Sequence, residues 1–555
     1  MVVNHRRRTV LSLAVALTVP GIAQAQQYGL QRSNSIDLSG QFFTGSDYGT
    51  NPLSLAFDAS SNAAWVGGYF GLPGAGTVGV VRVSDALAAN AAASGLATSV
   101  FATSAFRGVN HLASFGGDVI VSHVNPETAP HFVRRINGAT GATVWNVDNP
   151  GNFLPTVFGS GGATALEIDP RGAGVVGSGT AGIGFMTQAG SGGGARHVLD
   201  LNTGALLYGP GGSLGGGAGV FSTEGQDNAF GNRDIDFDSA GNFLRTTARG
   251  FDYAVRTADQ SFQNTLGGAG SNGILQKRDN STLPFNININ DVGSAGEFFA
   301  GVGTTQLVAL SARISGALKQ DGITTYTADE PFAFADQNGA AQQNLDARHV
   351  HFRNIDGSTT GLTTLSLRGD EDFFTGAYTA DIKQLASGTD ANGLPVLMVL
   401  SFAERRLDIY QVEPTWNTGS GDWDTAANWQ HNLVADGATQ NARFNQQASA
   451  TTVTLNSART SKLLKFDSTS SYTISGTGTL TMDAPDSKAA NIAVLAGSHT
   501  VAVPVIAAKG TDLRVPTGSS LTLSGGVSGT GITKRDNGTA VVKNFRVSAA
   551  SVRGG

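Results

Sequence analysis

The sequence contains no cysteine and unusually little charge. Its 555 residues include no Cys, and Asp, Glu, Lys and Arg together make up 14% of the chain, compared with about 25% in typical soluble domains. Without thiols the chain can form neither disulfides nor cysteine-ligated metal sites, and it has no thiol nucleophile. Its stability must therefore come from core packing and strand pairing.

Positive charge is scarce. The chain carries 36 Lys and Arg against 42 Asp and Glu, which gives a formal net charge of −6. Nucleic acid binding depends on Lys and Arg that neutralise phosphates. We therefore expect no nucleic acid partner.

The first 25 residues combine a basic start, a short apolar run and a small-residue cleavage pattern. Residues 6–8 are all Arg, the apolar run covers residues 10–19, and Ala23-Gln24-Ala25 follows. The run is too short to cross about 30 Å of hydrocarbon, which disfavours the alternative of a membrane anchor. A secretory signal peptide over residues 1–25 is predicted, and a mature chain without a transmembrane helix. Its removal leaves a net charge of −9.

Glycine, unlike the charged residues, is abundant in the chain. The chain has 75 Gly, without the period of three that marks collagen. Together with many Ser, Thr and Ala, this composition favours short strands and turns, so we expect an all-β protein. The Ala-rich run 84–95 is an exception that predicts a short capped helix.

A strand–turn–strand pattern recurs along the first three quarters of the chain. In residues 234–244 an alternating strand ends at Asp238, a turn passes through Gly241, and a second strand follows. An Asp carboxylate accepts N–H bonds two residues on, and Gly tolerates a positive φ. Counting weaker copies, the pattern recurs near 55, 112, 166, 235, 289, 350 and 396, at spacings of 46 to 69 residues. Units of this size predict a β-propeller of six or seven blades over residues 34–413.

A second repeated element supports the propeller. Residues 136–145 and 199–208 each form a strand, a turn that closes on Thr-Gly, and a strand with a large aromatic residue at its end. They fall where the outer hairpin of a blade is expected. The blades resemble those of the NHL- and quinoprotein-like group, and this resemblance concerns architecture alone. An irregular all-β domain or a pair of β-sandwiches is the alternative.

The chain changes character after residue 413. Residues 416–429 (WNTGSGDWDTAANW) hold three of the five Trp, and short Thr-, Ser- and Val-rich runs then follow every 10–20 residues. This pattern predicts a β-solenoid-like repeat region over residues 414–555. The three Trp either stack on sugar rings or cap the open end of the solenoid, and capping is the preferred interpretation because a solenoid end must be covered.

The Trp-rich segment resembles the module that introduces autotransporter-associated β-strand repeats, and residues 521–542 resemble one such repeat. The resemblance covers a quarter of the chain. It implies a large exported surface protein of Gram-negative bacteria, a group that includes proteins with PEP-CTERM sorting tails. Neither an outer-membrane barrel pattern nor a Pro-Glu-Pro tail follows the repeats, which leaves release and anchoring both open.

Candidate sites are few. Asp234, Asp236 and Asp238 share one strand face and could bind Ca²⁺, although the spacing is not that of an EF-hand, and turn capping by Asp238 is preferred. Residues 172–177 match G-x-G-x-x-G, but no helix follows, so we predict no dinucleotide cofactor. Same-face His349 and His351, like His123 and His131, lack a third ligand for zinc. We therefore predict no metal site and no cofactor.

The sequence shows no convergent catalytic set, so an enzymatic role is the less favoured one. The preferred hypothesis is a secreted or cell-surface protein whose propeller is a non-catalytic platform for a polysaccharide or another surface protein, with the repeats as a spacer. A periplasmic location stays open. The alternative is a secreted carbohydrate-active hydrolase or lyase that works in the propeller funnel with loop carboxylates such as Glu167, Asp234 and Asp236.

Overall fold

The fold is nearly all β. The computed structural model describes residues 29–88, 91–103, 107–124, 132–148, 163–169, 182–187, 196–208, 232–238, 241–247, 250–256, 262–263, 293–300, 306–312, 349–354, 365–366, 382–402, 404–485 and 489–553. The predicted signal peptide lies outside these residues. Within them, six four-stranded antiparallel units are followed by a stack of parallel strands.

The first two blades share one continuous sheet. Blade 1 consists of β2 (Asn51–Asp58), β3 (Ala63–Phe70), β4 (Gly76–Ser84) and β5 (Ala92–Thr103). Blade 2 consists of β6 (Arg107–Phe115), β7 (Asp118–Val124), β8 (Phe132–Ile136) and β9 (Thr143–Asp148). The end of β3 pairs with the start of β6, which joins the two blades at one rim.

The next three blades repeat the same up-and-down order. Blade 3 consists of β10 (Ala163–Asp169), β11 (Gly182–Thr187), β12 (Arg196–Asp200) and β13 (Leu206–Tyr208). Blade 4 consists of β14 (Asn232–Phe237), β15 (Phe243–Thr247), β16 (Gly250–Arg256) and β17 (Phe262–Gln263). Blade 5 consists of β18 (Gly293–Ala300), β19 (Gln306–Ala312), β20 (His349–Asn354) and β21 (Leu365–Ser366).

Blade 6 closes the ring with a strand from the other end of the domain. Its three inner strands are β22 (Ile382–Thr389), β23 (Pro395–Ser401) and β24 (Arg406–Val412). The fourth and outermost strand is β1 (Leu30–Asp37), which pairs antiparallel with β24. Strand pairing between the two chain ends removes the free edge that an open ring would leave.

The all-β fold with a six-bladed propeller, counted over the described residues, confirms the predicted fold class. The patterns at 55, 112, 166 and 235 lie on innermost strands. The apolar runs near 350 and 396 do not start blades: they lie in β20, third in blade 5, and β23, second in blade 6. Residues 136–145 and 199–208 do form outer hairpins, and Gly141 and Gly204 at their turns have φ of 72° and 71°.

The C-terminal region is a β-solenoid of about five turns. Its first sheet contains β25 (Thr415–Trp416), β27 (Gly437–Asn445), β29 (Ala458–Asp467), β31 (Thr479–Met482), β32 (Ala490–Ala496), β34 (Val505–Ala507), β35 (Thr511–Arg514), β37 (Val527–Arg535) and β39 (Phe545–Arg553). Its second sheet contains β26 (Gly421–Asp422), β28 (Thr451–Thr454), β30 (Tyr472–Ser475), β33 (Ser498–Val501), β36 (Ser520–Leu523) and β38 (Thr539–Val542). Two short 3₁₀ turns, Ala426–Asn428 and Gln430–Asn432, lie in the first coil.

The solenoid core is a column of stacked apolar side chains. Successive strands pair in parallel and in register, so identical positions in each coil lie above one another. Phe444 stacks on Phe466 at a ring-centroid distance of 5.3 Å, and Val453, Ile474 and Val501 pack from the facing sheet. Burial of this column is the main source of stability for each coil.

The first solenoid coil docks on β1. The Asn441 N–H donates to Gln31 Oε1 at 2.6 Å, and Lys462 Nζ donates to the Arg32 carbonyl at 2.9 Å. Leu433 also packs against the propeller core around Leu30. The strand that closes the ring is therefore held from both sides, by blade 6 and by the solenoid.

The helix predicted for residues 84–95 is wrong. Residues 85–88 form a turn, and β5 begins at Ala92 and pairs with β4. Alternating β-strand contacts outweigh the helix propensity of Ala in this position. In the part of the chain that the structure describes, we find no helix with the length and hydropathy to span a bilayer.

Candidate functional site

The six innermost strands all bulge at the same place. In each one the register shifts by one residue after one of its first three positions. A bulge of this kind bends the strand and re-aims the side chain that follows it. The residues that follow the bulges are Ser54, His111, Ala165, Asp234, Ala295 and Gln384.

These six positions alternate in size around the ring. Blades 1, 3 and 5 contribute a small residue, whereas blades 2, 4 and 6 contribute His111, Asp234 and Gln384. Small neighbours give the three large polar side chains room to meet across the axis. The same alternation of layers fills the interior of closed barrels.

The three large side chains meet on the propeller axis at one histidine nitrogen. His111 Nε2 lies 2.5 Å from Asp234 Oδ1, and Gln384 Nε2 lies 3.1 Å from the same nitrogen. Because this nitrogen has either one proton or one lone pair, we assign the hydrogen bond to the shorter contact, with Asp234 as acceptor, and treat Gln384 as a packing neighbour. Asp234 is fully buried and His111 is 2% exposed. One residue from every second blade thus links the ring across its centre.

Asp234 is the most highly bonded member of this group. Besides His111, its Oδ1 accepts the Ile235 N–H at 3.0 Å, and its Oδ2 accepts the Gly296 N–H of blade 5 at 3.0 Å. A buried carboxylate requires such donors, because its removal from water is costly without them. Asp234 therefore connects blades 2, 4 and 5 through one side chain.

Two more carboxyl groups lie beside it. Asp236 Oδ1 accepts the Phe237 N–H at 2.7 Å, and Glu167 Oε1 accepts the Ile168 N–H at 2.7 Å. Burial raises the pKa of Glu167 well above its ordinary value; the Asp236 charge adds to this, the bond from Ile168 opposes it, and Asp234 adds a smaller contribution. Glu167 therefore keeps its proton to a higher pH than an exposed glutamate does. We call Glu167, His111, Asp234, Asp236 and Gln384 the axial cluster.

The raised pKa of Glu167 predicts how stability depends on pH. Folded Glu167 keeps its proton where the unfolded chain, with a pKa of about 4.3, has released it. Stability is therefore present below about pH 4.3 and is lost as the pH rises toward the raised pKa. Glu167→Gln removes this loss, so we expect a higher Tm than wild type at pH 7 and a similar Tm at pH 4.

The Tm difference between Glu167→Gln and wild type is measured in steps from pH 4 to pH 8. If the two Tm curves are parallel over this range, Glu167 does not carry the extra proton.

The axial cluster has acid–base groups, but its His–Asp pair is closed to solvent. A His–Asp pair beside a carboxyl of raised pKa is the equipment of general acid–base catalysis, which requires contact with the reacting group. His111 and Asp234 are buried, and Asp236 is only 8% exposed. Glu167 is partly accessible. In this arrangement the cluster can hold and share a proton and can tie blades together.

The structure places the carboxylates predicted from the sequence in two settings, a turn and the propeller axis. Asp238 caps the blade-4 turn: its Oδ1 accepts the Asn242 N–H at 2.8 Å, and its Oδ2 accepts the Asn242 side-chain amide at 2.7 Å. Gly241 in this turn has a φ of 74°. Glu167, Asp234 and Asp236 do lie together, but they lie on innermost strands rather than on loops.

The calcium hypothesis gains no geometric support. Among the described residues, no group of three or more His, Asp or Glu is arranged to hold a metal ion. We expect that adding millimolar CaCl₂ to chelator-treated protein leaves its Tm unchanged. A reproducible rise in Tm that EDTA reverses would contradict this assignment.

The remaining candidates from the sequence are four histidines and the glycine-rich segment 172–177. His123 is buried in blade 2 and stacks on Phe132 at a centroid distance of 4.9 Å. His349 and His351 lie on β20, but their side chains fall outside the described part, as do His131 and the whole 172–177 segment. They add no second site to the described structure.

The three tryptophans of the repeat region are buried. Trp416, Trp423 and Trp429 are at most 1% exposed and pack edge-to-face with one another and against Phe444. Trp423 Nε1 donates to the Ala435 carbonyl at 3.0 Å. They close the first end of the solenoid core, as the capping interpretation requires, and their faces are not available to stack on a sugar.

Sequence reasoning found three members of the axial cluster and missed two. His111 and Gln384 were not predicted as site residues. The signal that could have found them is alignment of the innermost strands, which places His111, Asp234 and Gln384 at one repeat position. That alignment was obscured because the copies near 350 and 396 were counted as blade starts.

Comparisons with known proteins add little on function. No protein family matches the chain, and no curated protein matches it. Among solved structures, it is similar to BamB from Moraxella catarrhalis (15% identity, TM-score 0.28, 65% of this chain and 85% of that one). It is also similar to virginiamycin B lyase from Staphylococcus aureus (8% identity, TM-score 0.35, 69% and 99%) and to the N-terminal domain of Nup159 (9% identity, TM-score 0.28, 69% and 95%). These values carry no argument about activity, and the architecture rests on the strand order described above.

Proposed function

We propose that this chain is an exported, non-catalytic binding protein of the bacterial cell surface. In this proposal residues 34–413 form the platform that holds a ligand or partner, and residues 414–555 extend it from its point of attachment. The predicted signal peptide and the resemblance of residues 416–429 and 521–542 to autotransporter-associated repeats support the location.

The observation that carries the non-catalytic role is the burial of the axial cluster. A hydrolase or lyase that works in the propeller funnel needs acid and base groups that reach the substrate. The acid–base groups of this axis instead bond to one another and to backbone N–H groups of the inner strands. Their bonds are those of a structural core, and this supports binding on the propeller faces rather than reaction in its centre.

The test uses purified protein from residue 26 onward and a panel of polysaccharides. Isothermal titration calorimetry measures binding, and a reducing-end assay measures cleavage of the same samples. We expect binding of at least one glycan or surface protein with no release of reducing ends or unsaturated products. Turnover that Glu167→Gln abolishes would overturn the proposal in favour of the enzyme.

A further inference from the structure

The charge of the chain is divided unevenly between its two parts. Residues 414–555 contain twelve Lys and Arg but eight Asp and no Glu, although the whole chain has an excess of acids. The imbalance is concentrated in the last coils, where residues 505–553 contain seven Lys and Arg and two Asp. A basic surface at one end of an acidic protein marks an interaction site for anions.

The strand register aligns most of this charge in one line. In the parallel strand register, six positions of successive strands lie side by side. In chain order they are Arg443, Lys465, Ala493, Arg514, Arg535 and Arg553. Five of these six stacked positions are basic. Neighbouring strands lie about 4.8 Å apart, so the cations form a ladder along the solenoid axis. We call Arg443, Lys465, Arg514, Arg535 and Arg553 the basic ladder.

The ladder faces away from the core. Its residues alternate along each strand with side chains of the buried apolar column, such as Phe444 beside Arg443 and Phe466 beside Lys465. Arg553 is exposed, and the Arg535 side chain retains 33% of its accessible surface. The positive charge is therefore available to a partner on the outer face of the sheet.

Nearby carboxylates form ion pairs with two members of the ladder. Arg443 pairs with Asp467 at 2.7 Å and with Glu413 at 3.6 Å, and Arg535 pairs with Asp512 at 2.6 Å. At the distal end, no described carboxylate lies within ion-pair distance of Arg553 or of Arg546 on the same strand. The uncompensated charge is thus greatest in the distal coils.

We propose that the basic ladder binds a linear acidic polysaccharide laid along the solenoid axis. Cations at five of six stacked positions match a polymer with regularly repeated carboxylates or sulfates. Beside the last two members of the ladder, Thr533 and Ser551 lie in register, and such hydroxyl groups can hydrogen-bond sugar hydroxyls.

Two other polyanions fit the surface less well. Sequence-tolerant binding of single-stranded nucleic acid uses aromatic side chains as stacking platforms, but Phe444, Phe466 and Tyr472 point into the solenoid core. A lipid surface presents charge in a plane rather than along a line, and the exposed apolar side chains near the ladder, Phe545 and Val552, are confined to the last strand. Both remain outcomes of the test.

The ladder gives the solenoid a ligand of its own, so the inference goes beyond the proposed function and depends on it only for an exported location. The experiment measures binding of the full mature chain to polygalacturonate by calorimetry at two salt concentrations. We expect binding that weakens with salt and is absent with neutral dextran. Arg514→Gln/Arg535→Gln/Arg553→Gln should weaken it roughly tenfold or more at low salt.

The matched control removes the same charge outside the ladder. Arg459→Gln/Lys509→Gln/Lys543→Gln should bind within roughly twofold of wild type, because long-range charge alone then changes. Arg535→Gln leaves the buried Asp512 without its ion-pair partner and can therefore lower the stability of the solenoid. The double variant Arg514→Gln/Arg553→Gln keeps this ion pair. A thermal melt of each protein then shows whether lost binding comes from lost folding.

Four results would overturn the inference: equal losses in ladder and control variants, no loss in a folded ladder variant, equal binding of dextran, or no binding of polygalacturonate. Binding only of oligo(dT) or of phosphatidylglycerol vesicles would also replace it with a nucleic acid or membrane site. Binding of a neutral glycan that the ladder variants leave intact would instead support the propeller platform, so the two proposals fail separately.

Discussion

Asp234→Ala should lower the free energy of unfolding by about 2–5 kcal/mol, because each buried donor left without an acceptor costs about 1–3 kcal/mol. The substitution leaves His111 Nε2 and the Gly296 N–H without their acceptor in the ring centre. Because Asp234 links three blades, the loss should appear across the whole propeller. Urea denaturation followed by far-ultraviolet circular dichroism measures it.

Asp238→Ala provides the control on the same stretch of chain. It removes the same group from the blade-4 turn, where the carboxylate accepts bonds from Asn242 on the same hairpin, and we expect a loss of about 0.5–1.5 kcal/mol. Equal losses in the free energy of unfolding for the two variants would show that the axial position contributes no more to stability than the turn position does.

Trp423→Ala should destabilise the solenoid by about 3–5 kcal/mol, as expected for truncation of a buried aromatic side chain. Trp423 is fully buried against Trp429 and Phe444. Its loss opens the first coil, so hydrogen exchange should accelerate in β27 and β29 while β10 and β14 stay protected.

Trp65→Ala tests whether that effect is local. Trp65 is equally buried, but in blade 1, so its removal should accelerate exchange in the propeller and leave β29 protected. A Trp423→Ala protein with unchanged exchange and lost sugar binding would contradict the capping role and restore the stacking interpretation.

The sequence predicted the architecture well because its signals were local. The turn residues around Asp238 and the Thr-Gly turns mark hairpins through backbone chemistry that needs no distant partner. The buried run of β23 shows the limit: every residue of Pro395–Ser401 is buried, and a continuous apolar run does not tell an innermost strand from a second strand.

The rest of the site could not be predicted because it depends on distant pairing. Strand β1 has the polar sequence LQRSNSID, which precedes every copy of the recurring strand pattern, yet it closes the ring through β24. His111 and Gln384 are 273 residues apart, and only closure of the six blades brings them together. The basic ladder likewise appears only when the solenoid register is known.

The claim that His111 of the axial cluster is closed to solvent is tested most directly by chemical modification of this residue in the folded protein. Diethyl pyrocarbonate acylates accessible imidazoles, and peptide mass spectrometry reports each histidine separately. We predict that His111 stays unmodified under native conditions and reacts fully after unfolding in urea. Modification of native His111 at the rate of the unfolded chain would show that reagents, and hence substrates, reach the axial cluster, and it would contradict the structural role assigned to it.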